Sequence, residues 1–262
     1  MERFGGLAAD VTGRRGDEPP LVLVPGLTFD RSIWRPITEQ GPIARSQRLT
    51  VAVDLPGHGG SATQDDYRIE AVAATLHRAV VDAGLPDPVV VGHSVSGLIA
   101  TAYGARHPTA AVVNIDQNLD IVPFAELVRP LEEQLRGSGF GDLWTMFEDS
   151  FHAELLPAAA QELVRSTSHP TQAVVLEYWR EVFELSSPSL AALVDDVLAE
   201  LRRTRVPYTF VSGGDVQPAE RDWLTERLPD VRIEAWPGSG HFPHLARPEA
   251  FAQLLLDAPV LE

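Results

Sequence analysis

Ser94 stands in the run Val89-Val90-Val91-Gly92-His93-Ser94-Val95-Ser96-Gly97, where a short apolar segment breaks at a glycine and a helix-like stretch, Leu98 to Tyr103, follows. A serine hydroxyl is a poor nucleophile. To attack a carbonyl it must be held exposed on a tight strand-to-helix turn, within reach of a base and beside backbone N–H groups that face the developing oxyanion. Such a turn needs small residues on both flanks. Gly92 is one, and Ser96 stands where a second glycine is usual, giving Gly-x-Ser-x-Ser, the pattern of a nucleophile elbow. The chemistry this predicts is acyl transfer.

The base must be a histidine, and position chooses among the eight in the chain. His77 falls in a helical stretch, His107 precedes Pro108 at a helix end, and His152 and His169 lie in a region without strand signal. His93 points off the wrong side of the turn. His241 alone follows a final strand and a glycine-rich loop, Pro237-Gly238-Ser239-Gly240-His241-Phe242-Pro243, and precedes a terminal helix. His241 is therefore the predicted base, with His244 in reserve.

These residues require a scaffold that brings distant segments to one edge. Short β-branched runs alternate with longer helical patterns, the signature of a parallel sheet wrapped by helices. Six such runs, 21–24, 49–53, 89–91, 111–115, 208–211 and 231–236, each end in a polar or glycine-rich loop. In an open parallel sheet those carboxyl ends lie along one edge, where ligands bind. Between residues 121 and 203 the strand signal vanishes. Helix-like stretches follow one another there, Phe124 to Leu135, Phe140 to Leu155, Ala158 to Arg165, Gln172 to Leu185 and Leu190 to Arg203, with prolines where helices begin. This predicts a core of residues 1–120 and 204–262 with a helical cap, 121–203, inserted in it. Trp144, Phe147, Phe151, Tyr178 and Trp179 of that cap are candidate pocket residues.

Composition narrows the chemistry further. The 262 residues include 37 acidic and 21 basic ones, a formal charge of −16, which repels phosphate backbones and anionic membranes and argues against nucleic acid as a partner. All of the basic residues are arginine, so lysine Schiff-base chemistry has no residue to use. Cysteine is absent, which excludes thiol nucleophiles, thiolate metal sites and disulfides. No ligand cluster suggests a metal, and the reaction needs no cofactor. No apolar run approaches the ~20 residues of a membrane span, and the start lacks a charged-then-apolar leader. The expectation is a cytoplasmic protein acting on a small molecule, with oligomeric state unspecified.

Over essentially its whole length the chain resembles the α/β-hydrolase superfamily. The segment Gly26-Leu27-Thr28-Phe29-Asp30-Arg31-Ser32-Ile33-Trp34 is similar to the loop after the first core strand of these enzymes, with Pro25 where the family usually has histidine. The resemblance implies Leu27 as one oxyanion N–H donor and Val95, after the nucleophile, as the other. Asp54-Leu55-Pro56-Gly57-His58-Gly59 resembles a family loop whose histidine is structural. Gly-His-Ser-Val-Ser together with a multi-helix cap is similar to karrikin- and strigolactone-receptor hydrolases and bacterial stress-regulator relatives. Two residues could be the acid that orients His241. Asp215, after the penultimate strand, occupies the position the family most often uses and is preferred. Asp116, at the end of the strand after the elbow, is the alternative, and both satisfy the order serine, acid, histidine. The function implied is hydrolysis of a small to medium apolar carboxylic ester or lactone through an acyl-serine. The alternative is a slow-turnover ligand sensor that uses the same pocket and cap.

Overall fold

A computed structural model of the protein describes residues 1–261. Eight strands form one sheet: β1 (Glu2–Phe4), β2 (Leu7–Thr12), β3 (Leu21–Val24), β4 (Thr50–Val53), β5 (Val89–His93), β6 (Ala111–Ile115), β7 (Tyr208–Ser212) and β8 (Arg232–Ala235). Their spatial order is β1-β2-β4-β3-β5-β6-β7-β8. β4 through β8 in this order pair in parallel, whereas β2 pairs antiparallel to both β1 and β4. All six strands expected from sequence are present. The β1–β2 hairpin was not expected, because Leu7-Ala8-Ala9 has weak strand propensity and its turn, Gly5-Gly6, follows only three residues of strand.

Successive strand residues face opposite sides, and in β3 to β7 every residue is buried, which is why these runs read as continuous rather than alternating hydrophobics. Val22, Val24, Val51, Val53, Val90 and Val112 face one core layer, and Leu21, Leu23, Ala52, Val89, Val91 and Val113 face the other. The first layer packs on α3 (Ile69–Asp82), α4 (Val95–Arg106) and α11 (Ser187–Thr204), with α12 (Pro218–Arg227) at its edge. Covering the second are α1 (Arg35–Thr38), α2 (Gly41–Ser46), α13 (Pro243–Ala246) and α14 (Pro248–Leu256), anchored by buried Ile33, Trp34, Ile37 and Phe251.

Between β6 and β7 the chain forms only helices and turns: α5 (Val122–Val128), α6 (Glu132–Arg136), α7 (Phe140–Ser150), α8 (Ala158–Thr167), α9 (Gln172–Tyr178) and α10 (Arg180–Glu184) precede α11. α11 runs along α4 and returns the chain to β7. Its N-cap is Ser186, whose hydroxyl accepts from Ser189 N, with Pro188 in the first turn. Among the described residues no helix is long and apolar enough to cross a membrane.

Candidate active site

β5 ends at His93, and Ser94 takes φ 55° and ψ −133° before α4 begins at Val95. That positive-φ conformation is costly for a residue with a Cβ and persists only where the surroundings impose it. Here the surroundings do. Ser94 N–H donates to Ile115 O at 2.9 Å, and a Cβ on Gly92 would lie 1.9 Å from Ser96 O, so only glycine lets the turn close. Ser96 is fully buried, and its hydroxyl donates to Pro25 O at 2.5 Å. The serine that replaces the usual glycine thus ties the elbow to the loop that carries Leu27.

That loop passes directly over Ser94. A Cβ on Gly26 would lie 2.9 Å from His93 Nδ1 and 3.2 Å from Ser94 Cβ. The loop is held by Thr28, at φ 73°, whose N–H donates to His58 Nε2 at 2.9 Å while His58 Nδ1 donates to Pro56 O at 3.0 Å. His58 must therefore be neutral with its proton on Nδ1, and burial lowers its pKa accordingly. Buried Asp54 adds a second tie by accepting from Arg31 N at 2.7 Å and from the Arg31 guanidinium at 2.6 Å. As a result Leu27 and Val95 both line the cavity in front of Ser94. Neither N–H is used in a hydrogen bond among the described residues.

His241 Nδ1 lies 2.8 Å from Asp116 Oδ2. The geometry does not bear out the preference for Asp215, which is exposed and has no hydrogen bond to the ring among the described residues; the carboxylate paired with His241 is the alternative, Asp116, at the end of β6. Asp116 has φ 54°, a sharp reversal that carries its carboxylate back over the sheet edge. Its Oδ1 accepts from Gly213 N–H at 2.7 Å. Burial pushes the Asp116 carboxyl up, but the hydrogen bonds from His241 and Gly213 and the nearby imidazole outweigh it and leave the pKa below the ordinary carboxylate value. Gly213 has a further reason to be glycine, since its Cβ would lie 1.6 Å from Gly240 O. The Ser212-Gly213-Gly214 turn after β7 therefore serves the acid of β6 and lets the His241 loop approach. It supplies no acid of its own.

The cap and the layer behind the site also hold His241. Its N–H donates to Phe151 O at 2.9 Å, and the Phe151 ring stacks on the imidazole at 4.8 Å between centroids. From behind, buried His93 uses Nε2 to donate to His241 O at 2.8 Å, and burial next to His241 lowers the His93 pKa to about 3. The roles of Ser96, Phe151 and His93 escaped sequence reasoning. Ser96 alone carried a signal, as a hydroxyl where a glycine is usual.

Ser94, Asp116 and His241 open on one cavity of about 770 Å³. Its wall is largely apolar and includes all five cap aromatics expected there, Trp144, Phe147, Phe151, Tyr178 and Trp179. Asp215 is not part of the wall. The sequence profile of the alpha/beta hydrolase family matches residues 21–254. The chain belongs to this family. RutD of Escherichia coli, assigned as a carbamate hydrolase, is 28% identical over 248 residues, covering 92% of this chain and 91% of its own. Among solved structures, a thermophilic esterase from Thermogutta terrifontis superposes with a TM-score of 0.73 at 21% identity, over 96% of this chain and 92% of that one. The enol-lactonase from Burkholderia xenovorans LB400 does so with a TM-score of 0.74 at 20% identity, over 96% and 95%. At such identities these two likenesses establish the fold of this hydrolase, while the chemistry is argued from the site.

Proposed function

We propose that this alpha/beta hydrolase is a serine hydrolase that cleaves small to medium apolar carboxylic esters or lactones through an acyl-Ser94 intermediate. The observation that carries the reading is the pairing of His241 Nδ1 with Asp116 on the same cavity wall as a strained, half-buried Ser94. With Nδ1 donating to the carboxylate, Nε2 is the free basic nitrogen. It takes the Ser94 hydroxyl proton as Oγ bonds to the substrate carbonyl carbon, and the carbonyl electron pair moves onto oxygen, facing the N–H groups of Leu27 and Val95. Collapse breaks the bond to the leaving alkoxide, which receives the proton from His241. A water molecule, deprotonated by His241, then releases the acid and restores Ser94. Asp116 stays ionised throughout and stabilises the imidazolium.

The apolar wall fits a hydrophobic acyl or alcohol portion. Esterase and lactonase chemistry is what the two solved neighbours' names describe, and a carbamate, like RutD's, presents the same type of carbonyl to Ser94. No observation favours the slow sensor. The test is intact mass after exposure to a fluorophosphonate, beside Ser94→Ala. A single adduct on the parent protein and none on the variant is expected. No adduct under conditions that label a control hydrolase, or an equal adduct on Ser94→Ala, would overturn the reading.

A further inference from the structure

The cavity wall carries three carboxylates and no cationic side chain of the arginine type. Asp116 is committed to His241, and Asp120 sits at the start of α5, where its carboxylate faces Val122 N–H at 3.4 Å. Glu181, in α10, is the third. Its Oε2 accepts from Ile69 N–H at 3.0 Å, at the start of α3, and its Oε1 has no hydrogen-bond partner among the described residues. Among the described residues Glu181 forms no ion pair, and the charge of Arg68 reaches it only from a distance. Arg68 is bonded to Asp66, Arg180 to Glu177, and Arg129 to Val182 O, Leu185 O and Ser187 Oγ. Half-burying this carboxylate is costly: burial, with Glu70 and Asp66, raises its pKa, and the Ile69 N–H and the Arg68 charge offset only part of the rise. A cation brought by a ligand would offset that cost.

The wall of the same cavity is also aromatic. Trp179, two residues before Glu181, packs against Phe124, Trp144 and Phe147 at centroid distances of 5.2, 5.9 and 5.5 Å, and all four rings line the cavity. Ring faces attract cations through their quadrupole, and a carboxylate on the wall of the same cavity adds to that attraction. We propose that the cavity selects substrates whose acyl or alcohol portion carries a positive charge, that Glu181 is the specificity-determining side chain that reads it, and that substrates ending in a carboxylate are rejected. This rests on the hydrolase reading and narrows its substrate class.

The experiment compares kcat/KM for three p-nitrophenyl esters of similar size: trimethylammonio-butanoyl, its uncharged tert-butyl-butanoyl isostere, and carboxylate-ended adipoyl. Each is run with the parent protein and with Glu181→Gln, which keeps an oxygen acceptor for Ile69 N–H. The parent is expected to turn over the cationic ester about tenfold better than the neutral isostere, and the adipoyl ester about tenfold worse. In Glu181→Gln the ratio of kcat/KM for the cationic ester to that for its neutral isostere should fall at least fivefold. A cationic ester no better than its isostere overturns the proposal. So does an equal loss on all three esters in the variant, which would mean that Glu181 only holds the start of α3. Failure of the parent to hydrolyse any of the three would instead refute the hydrolase reading and the proposal with it.

Discussion

Replacing Asp116 by asparagine separates the two candidate acids and tests the geometry at one atom. In Asp116→Asn the new side chain can still accept from Gly213 N–H through its carbonyl oxygen, so the β6–β7 edge should keep its 2.7 Å tie. The amide, however, would present an N–H where Asp116 Oδ2 now accepts from His241 Nδ1 at 2.8 Å. The ring could satisfy that N–H only by accepting at Nδ1, which moves its proton to Nε2, the nitrogen that must take the Ser94 proton. The wrong tautomer and the lost charge opposite the imidazolium together should cost about a thousand- to ten-thousandfold in kcat, or roughly 4–5.5 kcal/mol of transition-state stabilisation. Asp215→Asn, an exposed change away from the ring, should stay within about twofold, as surface substitutions usually do. The assay is steady-state hydrolysis of a p-nitrophenyl ester, with thermal unfolding of each variant to show that the fold survives. Equal losses in the two variants, or a large loss only in Asp215→Asn, would refute the assignment.

Four further outcomes follow from the same geometry. Gly92→Ala places a Cβ 1.9 Å from the backbone oxygen of Ser96, which cannot yield as a side chain could, so the variant should lose fluorophosphonate labelling and unfold at lower temperature; normal labelling would contradict the elbow geometry. Ser96→Ala leaves the buried Pro25 carbonyl without its donor and should lower urea stability by about 1–3 kcal/mol, whereas an unchanged midpoint would mean that this tie is energetically idle. Phe151→Ala keeps the backbone acceptor for His241 N–H but removes the stacked ring, so kcat should fall severalfold without loss of the fold, and full activity would show that the ring does not hold the imidazole. His58, His93 and His244 are buried with lowered pKa values, His93 to about 3, so the folded state stays neutral where the unfolded chain takes up protons. Their contribution is intact above the unfolded value of about 6.5 and is lost as pH falls, by about 1.4 kcal/mol per unit for each histidine. Urea midpoints should decline below about pH 6.5, and a flat profile down to about pH 5 would refute this.

The sheet was legible because both its faces are buried. Runs such as Leu21-Val22-Leu23-Val24 have no polar side to hide their identity, and each stops at the polar residue, glycine or proline that begins a loop. The turn that carries Ser94 and the loop that carries His241 were legible because they obey local rules, a tight turn in one case and a glycine-rich approach in the other. Pro123, Pro157, Pro170 and Pro188 lie within two residues of the starts of α5, α8, α9 and α11, and the continuous Gln172 to Leu185 stretch breaks at Trp179, where α9 ends and α10 begins. A break that keeps the helical pattern of apolar residues on both sides leaves no periodicity signal. The β1–β2 hairpin had too few strongly β-forming residues to be seen.

The carboxylate that pairs with His241 was not legible for a different reason. β6 and β7 are parallel neighbours, so Asp116 and Asp215 both follow strands that end on the same edge, and chain order is identical for the two. What separates them is backbone geometry. Asp116 reverses at positive φ with its N–H fixed to Val211 O, and this turns its carboxylate inward to His241 and Gly213. Asp215 comes two residues after Gly213, by which point the chain has left the sheet edge for the short exposed lead into α12. The two glycines before Asp215 resemble a loop that presents an acid, yet Gly213 is there to donate its N–H to the acid of the neighbouring strand and to let Gly240 pass. A glycine required by a distant partner such as Gly240 cannot be told in sequence from one required by its own turn, because both constraints remove the same Cβ. The loop lengths are the remaining clue: a turn of five residues between Ser212 and Pro218 leaves little chain to carry an acid back to a histidine that already touches the neighbouring strand.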